Sequence, residues 1–133
     1  MSRDHRKLQV FQLARELAVA VYKATSNFPP EERFGLQSQL RRGAVSVAAN
    51  IVEGCARRTS GEYIHFLNIA LGSSAEVGFL VELAGELGFL ETPAASNLLA
   101  VTNHLVPALK GLIAALESAE LSKSRKPKAK SPV

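Results

Sequence analysis

Apolar residues recur along this chain at spacings of three and four, and the recurrence stops and restarts three times. Over residues 7 to 27, Val10, Ala14, Leu17 and Val21 form one stripe and Phe11, Ala18 and Tyr22 an adjacent one, the period of an amphipathic helix. Phe28-Pro29-Pro30 ends that helix, because the residue before a proline disfavours helical backbone. Pro30 to Arg33 predicts a short turn, and Gly35 redirects the chain into a second helix from Leu36 to Cys55. Thr59 with Glu62 three residues on fits a capping box for a third helix. Its face of Tyr63, Phe66, Leu67, Ala70, Ser73, Ser74, Val77, Leu80, Val81, Ala84 and Leu87 ends at Gly88, a left-handed stop. Thr92 and Pro93 predict the N-cap and first position of a fourth helix. There Leu98, Thr102, Leu105, Leu109, Leu112 and Leu116 make a heptad-like seam that Pro107 is expected to bend but not split. No segment reads as a strand. Helices of this kind, roughly 30 to 45 Å long and joined by short loops, predict an all-α, up-down-up-down antiparallel four-helix bundle.

The second helix departs from a simple surface pattern. Gln39, Arg42, Ser46, Asn50 and Glu53 form a polar lane beside the apolar lane Leu36, Leu40, Ala44, Val47 and Ile51, while Val45, Ala48, Ala49 and Val52 occupy the far side. A helix apolar on two sides calls for two partners. Polar groups between them must be satisfied, since an unpaired buried amide or carboxylate costs a few kcal/mol. Arg42, Asn50 and Glu53 are therefore expected to share a network. Ser46, Ser73 and Glu76 complete the candidate structural set, with Arg42, Arg57 or Arg58 neutralising Glu53 and Glu76. The same lane, were it open to solvent, is the alternative site for a ligand or nucleic acid. On the third helix, Asn68, Gly72, Ala75 and Phe79 share a lane away from the core, suited to a neighbouring subunit.

Composition adds boundaries. With 133 residues and 47% apolar content the chain is long enough for one cored domain, placed at residues 1–121. Residues 122–133, rich in Lys and Arg, are expected to form a flexible basic tail. No run approaches about 18 consecutive apolar residues, and the N-terminus lacks a signal-like segment, so a cytoplasmic location is expected. The net charge of +4 is unevenly spread. Residues 1–60 carry ten Lys and Arg against five acids, residues 61–121 one against seven, and the tail adds five cations. Partners must therefore be sought in patches.

Little catalytic chemistry is legible. Glu62 and His65 have the Glu-x-x-His spacing of di-iron bundles, but such sites need a second copy and two further glutamates. Cys55 is the single cysteine and His5, His65 and His104 are scattered, so neither a disulfide nor a zinc cluster is expected. No glycine-rich phosphate loop follows a strand. Neither a metal nor another cofactor is expected. The arginines are the better candidates: Arg41, Arg42, Arg57 and Arg58 bracket the second helix, and Arg3, Arg6, Lys7 and Arg15 lie on the first. Clustered cations bind phosphate with little sequence preference. Lys126 and Lys128 of the tail join them, solvation being the plain alternative for any one of these side chains. Few aromatics read as exposed, which argues against sequence-specific recognition of single strands.

Four pieces of sequence, Phe28-Pro29-x-x-Glu32, Leu36-x-x-Gln39-Leu40-x-Arg42, Ser46-x-x-x-Asn50-Ile51-x-Glu53-Gly54 and Ile69-Ala70-x-Gly72-Ser73-x-x-Glu76, occur together. Their combination, over about residues 7 to 116, resembles the four-helix bundle proteins encoded in intervening sequences of bacterial large-subunit ribosomal RNA genes. It is similar also to the accessory variability protein of diversity-generating retroelements. The resemblance implies a ring-shaped homopentamer with a basic surface for RNA or DNA and no catalytic activity. On the same ground a protein partner such as a reverse transcriptase is a candidate. Gly43 and Gly78 depart from the pattern, which has alanine and an acidic residue there, and predict looser local packing.

Two functions are consistent with these features. The first is a non-enzymatic, oligomeric bundle that presents a basic surface to RNA or DNA as an accessory factor. The alternative is a protein-interaction scaffold with no nucleic-acid role, in which the oppositely charged halves serve assembly.

Overall fold

In the computed structural model, which describes residues 3–124, four helices pack side by side: α1 (Gln9–Ala24), α2 (Leu36–Cys55), α3 (Ser60–Glu86) and α4 (Thr92–Ser124). Each packs against two neighbours, in the cyclic order α1, α2, α3, α4, and the α2–α3 contact is the most extensive. There is no strand among the described residues. The interior is one apolar cluster whose largest fully buried members are Leu17, Leu40, Ile51, Leu67, Leu98, Leu105 and Leu109. Each such side chain contributes about 1.5–3 kcal/mol by leaving water.

Local chemistry sets the boundaries. α1 is shorter than the sequence pattern suggests because Asp4 caps a separate 3₁₀ turn, His5–Lys7, through the Arg6 amide, and Leu8 is extended. At the other end Thr25, fully buried, turns its hydroxyl back to the Val21 carbonyl at 2.8 Å. The prolines give a 3₁₀ turn at Pro30–Glu32, and Glu32 Oε1 accepts the Leu36 amide at 3.2 Å, capping α2. Thr59 Oγ1 accepts the Glu62 amide at 3.1 Å as expected. α3 ends in a Schellman motif: Gly88 has φ +80°, its amide reaches the Gly85 carbonyl at 3.1 Å and that of Phe89 reaches Ala84 at 2.9 Å. α4 starts at Thr92 itself and runs unbroken through Pro107, which faces solvent.

The seam of α4 drifts. Leu98, Thr102, Leu105 and Leu109 are buried, but Ile113 takes the next interior position while Leu112 is half-buried. A 3.6-residue helix slips about 20° per heptad against a 3.5-residue repeat, so a strict heptad seam does not stay centred on the core face. α4 continues to Ser124, and residues 125–133, with Lys126 and Lys128 of the expected tail, lie outside the described residues.

Two expectations about α2 are corrected. Its far side is only partly covered: Val45 is 44% exposed and Ala49 is exposed, with Ala48 and Val52 half-buried. The polar lane is not a buried network either. In a four-membered ring of helices each one has two neighbours and an outward face, and Gln39, Arg42 and Glu53 lie on that outward face. Asn50 Nδ2 donates to the Ser46 carbonyl at 2.8 Å and to Ser46 Oγ at 3.0 Å; Ser46 meets Ser73 of α3 at 3.1 Å. Arg42 and Glu76 are exposed and outside any ion pair among the described residues, while Glu53 pairs with Arg57, one of the three arginines expected to neutralise it. Gly43 tightens the fold where looser packing was expected, because a Cβ there would stand 2.9 Å from Val77 Cγ2 of α3.

α3 and α4 each contain a stretch long and apolar enough to cross a membrane by length and composition alone. Their large aliphatic side chains, among them Leu67, Val81, Leu98 and Leu105, fill the bundle interior.

Candidate nucleic-acid interface

The cationic residues divide between the two ends of the α1–α2 pair. At one end the Arg3 amide reaches the Cys55 carbonyl at 3.3 Å, bringing Arg3 and the 3₁₀ turn that carries Arg6 and Lys7 to the end of α2, where Arg57 and Arg58 follow. Arg3 lies over the Tyr63 ring, 4.2 Å from its centroid, and donates to the Arg57 carbonyl at 3.3 Å. Arg57 pairs with Glu53 and, at 4.0 Å, with Glu62, while its guanidinium covers Phe66 at 4.7 Å. Arg57 is thus an internal fastener. Arg58, Lys7 and Arg15 point to solvent, and Arg6 is exposed but paired with Asp4 at 3.2 Å. That pair holds the Asp4 carboxyl below its ordinary range, chiefly through the Arg6 side-chain hydrogen bond.

The other end holds a groove of about 810 Å³ between the end of α1, the 30–35 turn and α2. Arg33, Phe34, Arg41, Arg42 and Tyr22 line it. Arg41 is fixed: its Nε donates to Thr25 Oγ1 at 2.9 Å, its Nη2 to the Tyr22 carbonyl at 3.3 Å, and it stacks on the Tyr22 ring at 4.5 Å. Gln37 Nε2 donates to the Thr25 carbonyl at 2.9 Å, so the same buried threonine anchors both side chains. Phe34 is 90% exposed and Tyr22 47%. The sequence pattern placed Tyr22 in an apolar stripe and gave no role to Phe34 or Arg33. The one available signal was an aromatic beside an arginine in a turn outside every periodic stripe.

Beneath the first cluster Cys55 and Tyr63 are buried together. Burial pushes the Cys55 thiol up, so it is a poor nucleophile. Burial, then the neighbouring Cys55, pushes the Tyr63 phenol up from 10.0 to about 12. A raised phenol pKa favours the neutral form in the folded state, so its stabilisation is present below pH 10 and fades as pH rises towards 12. An alkaline absorbance titration is expected to show a Tyr63 step near pH 12 that Tyr63→Phe removes.

His65 stacks edge-on against Phe66 at 5.3 Å, and the Glu62 carboxylate accepts the Thr59 hydroxyl at 3.1 Å. Among the described residues no three His, Cys, Asp or Glu side chains come together as a metal site. On α3 the outward lane of Asn68, Gly72, Ala75 and Phe79 is exposed, Phe79 to 61%.

No curated protein matches this chain. A crystal structure from Bacteroides thetaiotaomicron, described as a protein of unknown function from the S23 ribosomal protein family, superimposes with a TM-score of 0.72. It is 23% identical, and the match covers 78% of this chain and 94% of that one, which establishes the shared fold. The family model of 23S rRNA-intervening sequence proteins matches residues 6–111. With that match spanning the 3₁₀ turn, the first three helices and most of α4, the chain belongs to the 23S rRNA-intervening sequence protein family.

Proposed function

We propose that this chain is a non-enzymatic, self-assembling bundle that offers the cationic α1–α2 side to the phosphate backbone of RNA or DNA in the cytoplasm. The observation that carries the reading is the separation of charge by helix pair. Arg15, Arg33, Arg42, Arg58 and Lys7 are exposed on the first half, whereas Glu76, Glu82, Glu86, Glu91 and Glu117 are exposed on the second. α2 is about 30 Å long at the helical rise, enough for several successive phosphates. The family resemblance supports five copies in a ring, and repetition of the patch would add weak contacts through multivalency. It also supports an accessory role beside a protein such as a reverse transcriptase. The scaffold reading draws on the same charge separation, since a basic face of one copy complements the acidic face of the next.

Titration of labelled structured RNA at about 50 mM and about 200 mM salt tests the proposal. With about five phosphate contacts, affinity should fall about 500-fold over that range. Reversal of Arg42 and Arg58 to glutamate should weaken binding and flatten the salt dependence with the light-scattering mass unchanged. Arg57 is unsuitable for this test because it already serves Glu53, Glu62 and Phe66. Absent binding at low salt, or binding indifferent to salt, would refute the proposal. A loss of mass in the double variant would favour the scaffold.

A further inference from the structure

The groove at the α1–α2 end has a composition that phosphate binding alone does not require. Its lining contains three arginines and no Asp or Glu. Its two exposed rings, Tyr22 and Phe34, stand among those cations. Scattered apolar residues on a surface need no explanation. A phenylalanine exposed to 90% beside an unoccupied guanidinium in a concave site does.

We propose that this groove receives one unpaired nucleotide of a single-stranded RNA, its base stacked on Phe34 and its phosphate held by Arg42 and Arg33. This rests on the nucleic-acid reading above and specifies which form of strand is preferred. Every base has a π-face, so an aromatic ring recognises an unstacked base without regard to sequence, and a neighbouring arginine supplies the counter-charge. In a duplex the base faces are occupied by their neighbours, and only the arginines would then contribute.

The wall of the groove is built before any ligand arrives. Arg41 and Gln37 are both tied to Thr25, which is fully buried and itself bonded to Val21. Fixing side chains in advance lowers the ordering cost of binding. Arg42, by contrast, is exposed with no ion pair among the described residues, and Arg33 lies 5.7 Å from the Phe34 centroid. The cavity volume of about 810 Å³ falls within the range of small-ligand sites. A second copy of the chain is the competing occupant, because the exposed Phe79 and the glutamates of α3 would complement the groove.

The test compares a labelled adenine oligoribonucleotide of about 12 residues with an RNA duplex of equal length, by fluorescence anisotropy on the full chain. Phe34→Ala is expected to weaken the single strand about tenfold and the duplex less than about twofold, while Phe34→Tyr keeps wild-type affinity. Because Phe34 is exposed, its removal leaves the core intact, which a circular dichroism melt of the variant checks. Equal loss on both forms, or no loss on either with salt-dependent binding intact, overturns the stacking site and spares the wider proposal. No binding of wild-type protein to either form overturns both. A fall in light-scattering mass in Phe34→Ala, with strand preference unchanged, also overturns the stacking site and assigns the groove to a second copy.

Discussion

Leu67→Ala is expected to lower the stability of the fold by about 2–5 kcal/mol. Leu67 is fully buried on α3, the helix that packs on both α2 and α4. Removing three carbons there forfeits their transfer free energy and leaves a cavity that two long helices, clamped at both ends, collapse around only in part. A domain of this size holds about 5–15 kcal/mol in all, so the loss is a large fraction of it. Urea unfolding followed by helical circular dichroism, at one fixed protein concentration because assembly would shift the midpoint, measures the change. A shift below about 1 kcal/mol would mean that the interior is not packed as described.

Gly54→Val should cost about 1–3 kcal/mol, by the opposite mechanism. Gly54 lies in the last turn of α2 against the first turns of α3. A Cβ there would stand 3.0 Å from Phe66 Cβ, 3.1 Å from Tyr63 Cδ1 and 3.3 Å from the Tyr63 carbonyl oxygen. Two of these atoms belong to or adjoin the α3 backbone, so relief requires the helices to separate. Separation would also disturb Arg3 over Tyr63 and Arg57 over Phe66. Gly111→Ala is the control: nothing lies within 4 Å of its added Cβ, and an exposed helical alanine should gain about 0.5–1 kcal/mol over glycine. A neutral Gly54→Val in the same urea assay would show that α2 and α3 do not approach this closely at Gly54.

The glycines show how far a sequence can be followed. Gly88 was legible as a stop because a helix must end there and only glycine enters the left-handed region freely. Gly43 reads in the sequence as a source of looseness, and the structure shows the reverse. Whether a missing Cβ is a gap or a point of contact depends on what the neighbouring helix brings to it, and Val77 is 34 positions away.

The candidate site was divided in the same way. Exposed Lys7, Arg15 and Arg58 could be picked from charge alone, because the first half of the chain is basic. The roles of Arg41 and Arg57 could not, since each is decided by partners on other elements: Tyr22 and Thr25 for one, Phe66 for the other. Arg42, expected inside a network with Asn50 and Glu53, stands in solvent because α2 has neighbours on two sides and water on the third.

By itself the sequence determined four helices, the ends of α2 and α3, and the stripe of α1 that is buried, since periodicity, proline, glycine and caps act within a few residues. The tertiary structure decided which second face of α2 stays open, which arginines are fastened and which are free, and that Phe34 lines one groove with Tyr22 and three arginines. These depend on how far apart and at what angle distant segments pack, and no local pattern in a chain encodes a distance between helices.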